Sequence, residues 1–148
     1  MIKIFSWAAV IFWMAIIFYL SHEPASSSDE LSIGISDVMV TIVEKVVPGT
    51  EVNMDEFHHI VRKCAHFLAY LILGLLLTHT LRRSGAGRWT IGIALIICVL
   101  YASSDELHQL FVPGRSAEVR DVLIDSVGAC VGIILDLLIW KGKQRYKS

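Results

Sequence analysis

Four apolar runs, at residues 4–20, 60–81, 89–111 and 117–140, occupy most of this 148-residue chain. Even the shortest, IFSWAAVIFWMAIIFYL, covers ~25 Å as a helix at ~1.5 Å per residue, close to what a bilayer requires. Backbone crossing lipid must satisfy its own hydrogen bonds, which helices do within one segment. With 55% hydrophobic residues the chain is too apolar for an ordinary soluble domain of this length. The expected fold is therefore all-α, one four-helix transmembrane bundle. Lys3 ahead of the first run and Ser21 behind it also fit a cleaved signal peptide. The run is long for a signal core and no small-x-small cleavage pattern follows it, so it reads as a span.

The charges fix an orientation. Lys3, Arg82, Arg83, Arg88, Lys141, Lys143, Arg145 and Lys147 lie at one set of run ends, with no acids in the loops between them. The other ends meet residues 21–56, where eight acids face only Lys45, and the charged corner before the fourth run. The positive-inside rule places both termini in the cytoplasm, in a multi-pass membrane protein with four spanning helices.

Within the acidic segment, Leu31, Ile35, Val38, Ile42 and Val46 recur at helical spacing up to Pro48-Gly49. They predict an extracytoplasmic amphipathic helix between the first two spans, lying on the bundle or at the interface. Asn53 with Glu56 forms a capping-box pattern that starts the next helix near Met54. Cys64, Cys98 and Cys130 fall in three different apolar runs, an arrangement that reads as small buried hydrophobes rather than a disulfide or thiolate site. Gly128 and Gly132 form a Gly-x-x-x-Gly pair, which permits close helix approach.

The chemistry concentrates in YASSDELHQLFVPGRSAEVRDVLID, residues 101–125. Pro113-Gly114 marks a turn, and Ser116 followed by Glu118 reads as a helix N-cap with an acid in the first turn. Charges thus enter two apolar helices from one corner. On the second helix Arg62, His66 and Tyr70 share a face at i, i+4, i+8, with His59 one turn above. Asp105 and Asp121 each sit roughly 8–9 Å along their helices from the corner, and His66 about 6 Å beyond Arg62. Depth matching thus predicts that His66, Asp105 and Asp121 meet. Such groups at membrane depth form mutually satisfying ion pairs, bind or transform a polar ligand, or hold a metal through a pair such as Asp105 and His108. Spacing alone does not choose among these.

At these residues the chain resembles a known family. Ser21 closes an aromatic apolar helix, and Arg62-Lys63-x-Ala65-His66-Phe67-x-x-Tyr70 follows in the second. Then come Ser104-Asp105-Glu106-x-His108-Gln109-x-Phe111-Val112-Pro113-Gly114-Arg115-Ser116 and Asp121-Val122-x-x-Asp125-x-x-Gly128. Together these look like the VanZ-like family. The resemblance covers nearly the whole chain, although His22 stands where many relatives carry a second Ser. It implies a small bacterial multispanning membrane protein. The founding member is associated with low-level resistance to teicoplanin, a lipid-tailed glycopeptide, without the usual cell-wall precursor remodelling. The resemblance supplies no reaction.

The function expected first is binding or modification of a lipid-linked cell-envelope molecule or a lipophilic glycopeptide in a polar pocket of the outer leaflet. The second is hydrolase or transferase chemistry on a lipid headgroup, and the third a structural membrane partner role. His66, Asp105 and His108 are the candidate catalytic groups. Arg62, Lys63, Glu106, Gln109, Arg115, Asp121 and Asp125 are the candidate binding groups. The pattern assigns no metal ligand, specifies no cofactor, and offers membrane lipid rather than nucleic acid as partner.

Overall fold

The computed structural model describes residues 2–22, 54–113, 115 and 117–146. Among these it contains four α-helices and no strand: α1 (Ile2–His22), α2 (Met54–Ser84), α3 (Thr90–Gln109) and α4 (Val119–Arg145). All four are long and apolar enough to cross a membrane. The amphipathic helix expected over 31–46 and the capping residue Asn53 lie outside the described residues.

Local chemistry explains the helix ends. Gly85, at φ +94°, terminates α2: its N–H donates to the Arg82 carbonyl at 3.2 Å, and the Ala86 N–H to that of Leu81 at 3.1 Å. This is a Schellman stop, which needs the left-handed conformation that glycine adopts at little cost. A 3₁₀ turn, Gly87–Trp89, then leads into α3, where the Thr90 hydroxyl donates to the Gly87 carbonyl at 2.8 Å. At the other end of the bundle α4 begins at Val119, with extended Glu118 at its N-cap, rather than directly after Ser116. Glu106 of α3 explains the shift, since its Oε2 accepts the Glu118 N–H at 3.0 Å and so fixes where α4 begins.

The contacts give the topology. Trp13 Nε1 donates to the Ala69 carbonyl and Trp7 Nε1 to Ser84 Oγ, so α1 and α2 run antiparallel. Tyr101 reaches the Met14 carbonyl and Asp105 reaches Ser21, so α3 runs parallel to α1. Along α2 and α4, Lys63 meets Asp121, His66 meets Asp125 and Arg82 meets Asp136; these two helices also run parallel.

The α2–α4 contact is the closest in the bundle. A Cβ on Gly128 would overlap the Phe67 carbonyl, one on Gly132 the Leu71 carbonyl, and one on Gly74 the Ala129 backbone. The Gly-x-x-x-Gly pair is thus a seam, and Gly74 answers it from α2. Lipid supplies no hydrophobic force between helices, so backbone approach of this kind carries the association. The core is filled by Val10, Ile17, Tyr70, Leu73, Leu77, Ala94, Cys98, Ala102, Ala129 and Ile133. Large apolar side chains also cover the outside, among them Ile4, Phe12, Leu68, Ile96, Leu100, Leu123 and Ile134, as a lipid-facing surface requires. Three hydroxyls within the spans are satisfied locally, Thr78, Ser103 and Ser126 each donating to the carbonyl four residues earlier. One sequence expectation needs correction. Of the three cysteines only Cys98 is buried; Cys64 is exposed, because it lies about 100° around α2 from Lys63, which faces α4.

Candidate functional site

The polar groups of 101–125 converge with those of α2 and the end of α1. Asp105, 3% exposed, projects from α3 into the bundle. Its Oδ2 accepts from the Ser21 hydroxyl at 2.7 Å and from Gln109 Nε2 at 3.4 Å. Its Oδ1 is buried and has no hydrogen-bond partner among the described residues. Asp125, 1% exposed, comes from α4, and among the described residues neither of its oxygens has a hydrogen-bond partner. His66 Nδ1 stands 3.6 Å from Asp125 Oδ2, beyond ordinary hydrogen-bond length. One ligand-type atom from each of His66, Asp105 and Asp125 lies within 4.8 Å of the others.

His66 and Asp105 therefore do meet, but the second carboxylate at their depth is Asp125. Asp121 is one helical turn nearer the end of the bundle, where Lys63 takes it in an ion pair. Lys63 also reaches Glu118 Oε2 at 3.4 Å. The Asp105–His108 pair does not form a ligand set. Three residues along a helix leave the two side chains about 60° apart. While Asp105 turns inward, His108 packs on Phe18, with ring centroids 4.5 Å apart, and its Nε2 lies 3.0 Å from His22 Nδ1. His108 stands against α1, outside the convergent group.

A cavity of about 90 Å³ lies beside this group. Its walls are His59, Arg62, Lys63 and His66 from α2, Glu106 and Gln109 from α3, Glu118, Asp121, Ile124 and Asp125 from the start of α4, and Arg115 from the corner. Its volume gives room for several waters, or for a compact headgroup in their place. Arg115 Nη2 also donates to the Leu20 carbonyl at 3.4 Å, which ties the corner to the end of α1. Of the ten candidate site residues, eight line this cavity. Asp105 stands behind it and His108 beside α1.

Sequence reasoning left two participants without a role. Ser21 is fully buried and makes the shortest contact to Asp105. Its signal was a lone hydroxyl at the end of an aromatic apolar run. Glu118 was read as a helix-start residue, yet it lines the cavity and pairs with Lys63. The arrangement can hold a cation among carboxylates, grip an anion with guanidinium groups, or move a proton through His66.

No curated protein and no solved structure matches the chain. The family model described as VanZ/LLP1, however, matches residues 5–140, from α1 through the site to the basic end of α4, and the chain belongs to that family.

Proposed function

We propose that this protein sits in the bacterial cytoplasmic membrane with both termini inside, and binds the anionic headgroup of an amphiphile in the polar cavity at the outer end of the bundle. The ligand class is a lipid-linked cell-envelope molecule or a lipid-tailed glycopeptide of the teicoplanin type. The observation that carries this reading is the pairing of a charged cavity, with Arg62, Lys63 and Arg115 in its walls, with an apolar exterior on the same helices. An amphiphile matches both at once. Guanidinium groups grip phosphate or carboxylate through two parallel hydrogen bonds, which an ammonium cannot reproduce.

The test uses native mass spectrometry of the purified protein with phosphatidic acid and with diacylglycerol of the same chain length. Phosphatidic acid should be retained preferentially. Arg115→Lys should fold normally yet lose roughly tenfold in retention, the scale of one charge-assisted hydrogen bond. Equal retention of both lipids by the wild type would sink the proposal.

A second reading has its own observation. A carboxylate facing His66 Nδ1 leaves Nε2 as the proton-transfer atom, the arrangement a hydrolase or transferase acting on a headgroup would need. Release of phosphate or alcohol from a bound lipid, abolished in His66→Gln, would support it.

Orientation is checked separately, in a cysteine-free background. A cysteine at Pro113 should be labelled by an impermeant maleimide in intact cells, and one at Gly85 only after permeabilisation. Labelling of Gly85 from outside would invert the topology.

A further inference from the structure

We propose that His66, Asp105 and Asp125 form a binding site for one divalent transition-metal ion, of the Zn²⁺ or Mn²⁺ class. The proposal goes beyond headgroup binding and does not depend on what fills the cavity.

The acceptor count comes first. Asp105 Oδ1 and both oxygens of Asp125 are buried without a hydrogen-bond partner among the described residues. Buried carboxylate oxygens are costly when unmet, so each calls for a partner. Among the described residues, the His66 ring nitrogen is the one that approaches Asp125 as an ion-pair partner, and at 3.6 Å it is too far for a hydrogen bond. At the other end of the bundle Asp136 differs. Arg82 donates to it directly and His79 stands 3.4 Å away, so that acid is satisfied within the protein.

Geometry comes second. Ligands bound at ~2.0–2.2 Å to one ion lie about 3–4 Å from one another. The three atoms, one from each of α2, α3 and α4, are already within 4.8 Å, so small rotamer shifts close the set. Outer partners are also present. The Ser21 hydroxyl and Gln109 amide both hold Oδ2 of Asp105, leaving Oδ1 as the free ligand atom. Such support orients a metal-binding carboxylate and strengthens binding.

Ligand type decides the class. An imidazole with two carboxylates suits Zn²⁺ or Mn²⁺, whereas Mg²⁺ and Ca²⁺ favour oxygen alone and soft ions favour thiolate. Since His66 and Asp125 line the cavity, the ion would keep a side open to it.

The test is equilibrium dialysis of the detergent-purified, chelator-stripped protein against micromolar ZnCl₂ or MnCl₂, with bound metal counted by elemental mass spectrometry. One ion per chain is expected, together with a raised melting temperature. Asp125→Asn and His66→Gln should each weaken binding by at least tenfold. Ser21→Ala keeps all three ligands and should weaken it by about tenfold, through loss of the outer hydrogen bond. His22→Ala, which removes the exposed His22–His108 pair, should leave stoichiometry unchanged. If Asp125→Asn fails to fold, Ser21→Ala and the wild-type stoichiometry still decide. Wild-type protein without a stoichiometric ion overturns the proposal. So does binding that survives both His66→Gln and Ser21→Ala, or that disappears in His22→Ala.

Discussion

Gly132→Leu should remove most folded protein from detergent extracts, whereas Gly92→Leu should leave its melting temperature within a degree or two. The difference lies in what a side chain would meet. At Gly132 a Cβ would overlap the Leu71 carbonyl and crowd the Leu75 backbone nitrogen, while at Gly92 nothing lies within 4 Å. A flexible side chain can move aside, but a helix backbone moves only as a unit. Relief at Gly132 therefore requires α2 and α4 to separate. That would also open the Gly128–Phe67 and Gly74–Ala129 approaches along the same seam. Overpacking costs about 1–3 kcal/mol where side chains adjust and more where backbone must shift. At ~2–4 °C per kcal/mol for a chain of this size, a fall of roughly 10 °C is expected if the variant folds at all. Size-exclusion profiles after graded heating would measure it. Equal melting of the two variants would mean that the seam does not hold the bundle together.

The seam also determines the site, because it fixes the register between α2 and α4. Lys63 faces Asp121 and His66 faces Asp125, while Phe67 and Leu71 lie over the two glycines. A one-turn slip would put Asp121 beside His66 and leave Asp125 facing apolar helix.

The four helices were legible because span length and apolar content leave a membrane chain little choice. The depth of the charged groups was legible too, since rise per residue converts sequence position to height. That is why His66 and Asp105 could be matched in advance. Partner choice was not. Asp121 and Asp125 share one face of α4, about 6 Å apart along its axis. Which of them met His66 depended on a register set by glycine contacts that one sequence does not rank. That His108 stands against α1 was hidden for a related reason, since the sequence leaves the rotation of α3 about its axis open, and the Ser21–Asp105 contact shows which face turns inward. The start of α4 escaped because the group that fixes it, Glu106, lies twelve residues away on another helix.

The second large effect is expected at the basic end. Arg82→Met should destabilise the protein by about 3–5 kcal/mol, and adding Asp136→Leu should restore most of that loss. Asp136 is buried in α4, the one acid in the apolar runs that stands away from the corner. Arg82 Nη2 donates to its Oδ2, and the guanidinium carbon also lies 4.8 Å over the Trp140 ring. Without the arginine, His79 Nδ1, at 3.4 Å, stays beside a buried carboxylate that borders a pocket shared with Arg83 and Lys143. Asp136→Leu alone should cost less, because Arg82 near the end of its helix can extend its charged tip towards the interface. The double variant removes both charges and leaves apolar groups of similar volume, an exchange that is often neutral. A coupling of about 2–3 kcal/mol is therefore expected from thermal melts of the four proteins. The result bears on the other end of the bundle as well. A strong cycle here would identify the basic-end pair as a packing device, complete within the protein. Asp105 Oδ1 and both oxygens of Asp125, which lack a donor among the described residues, would then stand apart as groups that need something from outside the chain. Additive effects, with no coupling between Arg82 and Asp136, would remove that contrast.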